Sequence, residues 1–333
     1  MNINRRKFLR NTGLLAATPL IANQLWSCTP SSKTEEKSTD STATASLVSE
    51  PSVKEFGIQL WTVKEDLAKD PKGVLTALAG YGYKQIESFQ GDKGVFWGMT
   101  AKEFKSLLDG VGSKIVSTHC NPDYTMKKEK EGEFKKLVDD AASIDMKYLI
   151  NPFLGDYLNV LKTADDWKKA ADGLNRQGEI ASKAGLRVAY HNHHFEFKKF
   201  ADGSSPETVL LDNTDPNLVD FEADLYWVVT AGEDPEAWLR KYKNRFRLVH
   251  VKDRYKDDKA KEIESKEKTI DPFWGVGASC IVGTGKIDFP KILNTARENG
   301  VDYFIVEQER FDGTTPMKAA EADATYMKNL VFA

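Results

Sequence analysis

From Phe56 onward the chain repeats one unit eight times: a short β-branched or aromatic run, then an amphipathic segment with helical spacing. This repeat restricts the fold more than any other feature. Strand–helix units in series pack as a parallel sheet covered by its own helices. The period predicts strands over residues 56–61, 83–89, 114–120, 147–152, 187–193, 218–224, 246–253 and 303–309. Helices are predicted over 71–80, 101–111, 131–144, 164–184, 235–242, 289–299 and 316–330. Asp70-Pro71, Asp234-Pro235 and Thr315-Pro316 are start signals, because a short side-chain acceptor caps the first turn and proline there loses no hydrogen bond. Gly82, Gly112, Gly185 and Gly300 fall where helices should stop. Eight such units predict an α/β fold of one domain, a closed (β/α)8 TIM barrel. An open doubly wound sheet would show a glycine-rich phosphate turn after an early strand. The glycine pairs that do occur, Gly275-Val276-Gly277 and Gly283-Thr284-Gly285-Lys286, complete neither GxGxxG nor a P-loop, since Ile287 follows Lys286.

The barrel is assigned to residues 54–333, and what precedes it differs in composition. Residues 1–28 join a charged start to an apolar run too short for a comfortable membrane span, which reads as an export signal. Asn4-Arg5-Arg6-Lys7-Phe8-Leu9 resembles the twin-arginine motif of proteins exported already folded. Leu25-Trp26-Ser27-Cys28 resembles a lipobox, with Cys28 as the lipidated residue and Trp26 as a departure from the pattern. Residues 29–53, rich in Ser, Thr, Lys and Glu, bury too little apolar surface to order themselves and are expected to form a flexible tether. The expected location is therefore the cell envelope, with a lipid as the only membrane contact. Three cysteines make no disulfide framework. Forty-seven basic against 50 acidic side chains give no basic excess for a nucleic-acid partner.

The chemistry-bearing residues collect at the C-terminal ends of the predicted strands. They are Trp61, Glu87, His119, Asn151, His191 with His193, Asp224, His250 with Lys252, and Glu307 with Glu309. That end of such a barrel carries the active site. Alternation puts His191/His193, Glu222/Asp224, His250/Lys252 and Glu307/Glu309 on matching faces of four consecutive strands. All five histidines except His194, which points away from its neighbours, are in this set. Trp61, Glu87, His119, Trp227, Phe273 and Trp274 are candidates to line a sugar pocket, the aromatics by packing on C–H-rich ring faces. The charged stretch 255–270 is read as a solvated loop, with a lid as the alternative.

The segments GIQLWTVKEDLAKDP, YGYKQIESF, AYHNHHFEF, DFEADLYWVVTAGEDPEAW, LVHVKD, VGTGKIDFP and YFIVEQE span the chain from Gly57 to its end. Together they resemble the xylose isomerase-like barrel superfamily, in its sugar phosphate isomerase/epimerase branch. The resemblance implies one divalent metal ion (Mn, Zn, Fe or Mg) held by Glu, Asp, His and Glu from four strand ends. Asp224, His250 and Glu307 match three of these ligands. His191 stands where relatives have the first Glu, so either His191 ligates or Glu196 reaches back from the loop. His193 falls where some relatives, dehydratases and lyases, keep a catalytic histidine, while Trp227 replaces another histidine of those enzymes.

The implied chemistry is enolisation of a sugar carbonyl. Glu307 or His193 is the candidate base, and Lys252 the stabiliser of oxyanion charge. Reprotonation gives an epimer or isomer, and loss of a β leaving group gives elimination. Outside the cytoplasm the expected substrates are free sugars, keto-sugars or glycosides. A non-catalytic carbohydrate-binding lipoprotein is the competing class. A phosphodiesterase of the endonuclease IV kind is opposed by the charge balance and the few histidines.

Overall fold

In this computed structural model residues 50–267 and 277–333 are described. Eight parallel strands close into a barrel: β1 (Gly57–Gln59), β2 (Gln85–Phe89), β3 (Lys114–His119), β4 (Tyr148–Asn151), β5 (Arg187–His191), β6 (Val219–Asp224), β7 (Phe246–Val251) and β10 (Tyr303–Val306). β1 closes the ring by pairing with both β2 and β10. Between β7 and β10 the chain inserts a small antiparallel pair, β8 (Asp253–Arg254) with β9 (Ser279–Cys280). Each barrel strand is shorter than its sequence pattern. β5 ends at His191 rather than His193, β7 at Val251 rather than Asp253, and β10 at Val306 rather than Glu309. The polar residues beyond those ends leave the ladder to make side-chain contacts at the barrel mouth.

The helix signals operate as expected. Asp70 accepts a hydrogen bond from the Gly73 N–H, Asp234 from Glu236, and Thr315 from Lys318. Gly82 and Gly112 end their helices in the left-handed conformation. The main apolar core lies between strands and helices, where outward residues such as Tyr190, Phe221 and Val249 are buried. Inside the barrel the apolar filling is a separate small plug of Tyr148, Ile150, Ala189 and Leu248, with Tyr303 packed on it. Ala189 and Leu248 lie two residues before His191 and His250, so alternation makes this plug the floor beneath the histidines.

Two register shifts interrupt the ladders. One falls between Ile86 and Glu87 on β2, the other between Phe221 and Glu222 on β6. Each leaves an extra residue on the neighbouring strand and re-aims the side chains above it.

The charged stretch after β7 differs from the solvated loop expected of it. Residues Asp257–Glu267 form a helix, acidic in its first turn and with Lys266 in its last, which suits the helix dipole. Arg254 clamps this helix with two bonds to Glu264 (3.0 and 2.9 Å) and one to Asp257 (3.0 Å). The Gly283–Gly285 turn holds an anion of its own. The N–H groups of Gly283 and Gly285 donate to Asp253 Oδ2 at 2.9 and 2.8 Å, and Ile287 donates to Oδ1 at 3.2 Å. A Cβ on Gly285 would lie 2.2 Å from the Arg254 carbonyl oxygen, so the close approach requires glycine.

Candidate active site

β6 stands between β5 and β7, and its register sets the site. His191 pairs with Glu222, and Asp224 pairs with His250. Glu222 and Asp224 therefore face the same way at two depths, with a histidine on each side. Asp224 caps the short helix Leu225–Thr230: its Oδ1 accepts from the Trp227 N–H at 3.0 Å. Its Oδ2 is buried and has no hydrogen-bond partner. Around that oxygen lie His250 Nδ1 at 3.8 Å, His191 Nε2 at 3.9 Å and Lys252 Nζ at 3.9 Å. Glu307 Oε2 is 3.3 Å from His250 Nδ1 and 3.2 Å from Lys252 Nζ. Lys252 also pairs with Glu309, whose other oxygen accepts from the Trp61 indole at 3.1 Å.

The deeper layer is a hydrogen-bonded cage. Glu222 Oε2 meets His191 Nδ1 at 3.0 Å, His119 Nε2 at 3.1 Å and His250 Nε2 at 3.1 Å. Glu87 Oε1 meets His250 Nε2 at 2.8 Å, His119 Nε2 at 3.0 Å and the Gln59 amide at 2.8 Å, while Ser117 donates to Oε2 at 2.6 Å. Burial alone would raise both carboxyls. His119 and His250 outweigh it at Glu87, and the three histidines outweigh it at Glu222 together with the repulsion from Glu87, so both are held below the ordinary range. Burial disfavours the His119 cation, but the same two carboxylates raise its pKa to about 9. Glu307 is likewise driven down by Lys252 and His250 against its burial.

His193 is different. Burial and the nearby Lys252 charge keep its ring neutral, well below the usual histidine range. Its Nδ1 has no partner, and its ring lies 5.1 Å from that of His191. Phe195 stacks on it at 5.4 Å, Trp227 lies at 5.5 Å and Phe153 at 6.0 Å.

Asp224, His250 and Glu307 thus come together as one group, and His191, which groups with His119, Glu222 and His250, reaches Asp224 Oδ2 with Nε2 at 3.9 Å. An unpartnered buried carboxylate oxygen facing two imidazole nitrogens fits a divalent cation, which such N/O donor sets bind. Glu196 does not reach this group. It lies in the turn Phe195–Phe197 behind β5, where Oε1 accepts from Tyr190 Oη at 2.7 Å and Oε2 from the His193 N–H at 2.8 Å. Tyr190 faces outward from the barrel, so the loop delivers Glu196 to the wrong side of the strand; burial there raises its carboxyl to about 8. Glu87, expected among the substrate contacts, is wholly buried and taken up by the cage. His119 is partly shielded, with its Nε2 committed to the same two carboxylates. Trp227 is 7% exposed and packs against His193 and His194 rather than opening as a platform. Trp61 is 38% exposed at the rim, with its indole on Glu309 and the Lys64 ammonium 3.4 Å from its ring centre. Trp274, Phe273 and Cys28 lie outside the described residues. Glu222 had no assigned role in the sequence reading. Its signal was its place two residues before Asp224, on the same face of the same strand.

A closed parallel barrel with a buried carboxylate–imidazole cluster at the C-terminal mouth defines the class of (β/α)8 enzymes that work from strand ends. Residues 75–330 match the model of the xylose isomerase-like TIM barrel family, and the chain belongs to that family. A solved sugar phosphate isomerase/epimerase from Parabacteroides distasonis is 29% identical, with a TM-score of 0.67 over 88% of this chain and 98% of that one. An inosose dehydratase of Clostridium perfringens is 27% identical over 228 residues, 68% of each chain. That of Clostridium tetani is 34% identical over 154 residues, 44% of this chain and about half (49%) of the relative.

Proposed function

We propose that the protein removes the proton α to the carbonyl of a keto-sugar or keto-cyclitol and completes the reaction by β-elimination of water. The observation that carries this reading is His193: a neutral imidazole with an unpartnered Nδ1, beside a cluster fit to hold a cation. The inosose dehydratase relatives favour elimination as the outcome. The isomerase/epimerase relative favours reprotonation instead, which the same first step allows.

Asp224, His250, Glu307 and His191 would hold one divalent ion, with zinc, manganese, iron and magnesium as the candidates. Bound there, it supplies Lewis-acid stabilisation of negative charge on the substrate. His193 takes the α-proton, and the electron pair of that C–H bond moves to the carbonyl oxygen as an enediolate. The Lys252 ammonium, kept charged by Glu307 and Glu309 despite burial, faces the developing oxyanion. Collapse of the enediolate breaks the β C–O bond. The leaving hydroxyl takes back the proton from His193 and departs as water, so no oxidant or reductant is consumed. Trp61 offers an aromatic face at the rim. As part of the same proposal, export and lipidation at Cys28 put the protein in the cell envelope, where free keto-sugars and glycosides are the substrates within reach.

The test is NMR of an inosose and of 3-keto-sugars in deuterated water with metal-loaded protein. Deuterium at the α-carbon of recovered substrate, a new alkene carbon in the product, or both are expected. His193→Ala should keep its metal and lose about 10²- to 10⁴-fold in exchange rate. Exchange or elimination that persists in His193→Ala removes the proposed base, and neither exchange nor alkene formation with any of these substrates removes the reading.

A further inference from the structure

Each ligand histidine has two ring nitrogens, and here the two point to different carboxylates. For His191, Nδ1 faces Glu222 Oε2 at 3.0 Å and Nε2 faces Asp224 Oδ2 at 3.9 Å. For His250 the pattern is reversed: Nε2 faces Glu222 Oε2 at 3.1 Å, and Nδ1 faces Asp224 Oδ2 at 3.8 Å and Glu307 Oε2 at 3.3 Å. An ionised carboxylate only accepts hydrogen bonds, so in the neutral ring that a metal ligand must be, the nitrogen against Glu222 carries the hydrogen. The opposite nitrogen of each ring is then left with its lone pair toward Asp224. Glu222 is wholly buried, so it touches no substrate and acts only through the rings it holds. The register shift between Phe221 and Glu222 is the backbone device that brings this one carboxylate level with rings from both neighbouring strands.

We propose that Glu222 is a positioning residue that sets the orientation and tautomer of both His191 and His250, so that the first ligates through Nε2 and the second through Nδ1. A carboxylate behind one metal-bound histidine is a familiar support; here a single carboxylate serves two histidines with opposite tautomers. At His250 the Nε2 hydrogen bond goes to Glu87 Oε1 at 2.8 Å with Glu222 Oε2 beside it at 3.1 Å, so two carboxylates demand the same tautomer there, and His119 fills the third face of the Glu222 oxygen. This inference rests on the metal reading above. The alternative use of the same atoms is a second cation held by His119, His191, Glu222 and His250, which also group closely. His191 and His119 hydrogen-bond Glu222 Oε2 at 3.0 and 3.1 Å, so that oxygen is already partnered, whereas Asp224 Oδ2 has no partner; the other Glu222 oxygen, Oε1, has none either.

The experiment uses the full-length chain, stripped and reloaded with zinc. Zinc affinity is measured by chelator competition, and histidine tautomers by long-range nitrogen–proton NMR of the zinc-loaded wild type. One zinc per chain is expected, with the proton on Nδ1 of His191 and on Nε2 of His250. Glu222→Gln should bind zinc about 10- to 100-fold more weakly and lose the fixed tautomer of His191, while Glu87 still holds that of His250, and Glu222→Asp should recover part of the affinity. Either histidine with the opposite tautomer in the wild type overturns the proposal, even if no Glu222 variant folds. So does unchanged zinc affinity in a folded Glu222→Gln. Two zinc ions in the wild type and one in Glu222→Gln would make Glu222 a ligand instead. If the wild type binds no zinc, manganese, iron or magnesium, the metal reading itself fails and takes this one with it.

Discussion

Asp323 is wholly buried on the last helix, with Oδ1 accepting from the Val282 N–H at 2.8 Å and Oδ2 without a partner. Burial raises its pKa from 3.8 to about 8, and one backbone hydrogen bond does not offset it. The sign follows from proton binding. Below about pH 4 both folded and unfolded chains hold this proton and it contributes nothing. Between about pH 4 and 8 the unfolded chain releases it while the folded chain keeps it, so stability falls as pH rises. Asp323→Asn keeps an acceptor of the same shape and removes the titration. Relative to wild type it should gain up to ~1.4 kcal/mol per pH unit across that window, and nothing at its acid end. Urea unfolding of both chains at pH 5 and pH 8 checks this; an equal difference at the two values would contradict it. At the same scale, much of the candidate site was legible. His191, Asp224, His250, Glu307 and Lys252 were identified as strand-end residues, and they do converge. The roles of Glu87 and Glu222 were not, because a carboxylate that accepts from imidazoles looks in sequence like one that meets a ligand.

The longest helix among the described residues, Ala164–Ser182, shows how an element can be legible while its packing is not. Its capping box at Thr163 and Asp166 and its length are sequence properties. The glycine at its centre is explained only by what crosses it. A Cβ on Gly173 would sit 2.2 Å from the Thr125 carbonyl oxygen and 2.8 Å from the Thr125 methyl group, on the short helix Asp123–Met126. Helix propensity favours alanine there, yet Gly173→Ala should destabilise by ~1–3 kcal/mol, because the backbone contact leaves no room to relax. A lowered thermal midpoint with unchanged helix content by circular dichroism is the expected result; a raised midpoint would mean propensity wins. The helix Asp257–Glu267 teaches the converse. Its charge density reads as a solvated loop, and the Arg254 clamp that organises it comes from β8.

For the whole molecule, barrel closure brings strands from all parts of the chain to one mouth. The family membership agrees with the eight repeats read from the residues. The proposed envelope location is tested on the complete chain. Mass spectrometry of the membrane fraction should find a lipid on Cys28, and Cys28→Ala should move the protein to the soluble fraction; no change of fraction would leave the anchor without support. The sequence by itself determined the eight barrel strands and their order, the main helices between them with several of their caps, and which polar residues stand at strand ends, but not the β8–β9 pair or the short helices at Asp123–Met126, Leu225–Thr230 and Asp257–Glu267. What it determined follows from period and from short-range sterics, which neighbouring residues carry. Only the tertiary structure decided the rest. The two register shifts placed Glu87 and Glu222 under the histidines, the outward turn after β5 took Glu196 away from them, and Asp253 filled the glycine turn. Each depends on how strands or loops distant in sequence meet, and the energy of those meetings is not written in local pattern.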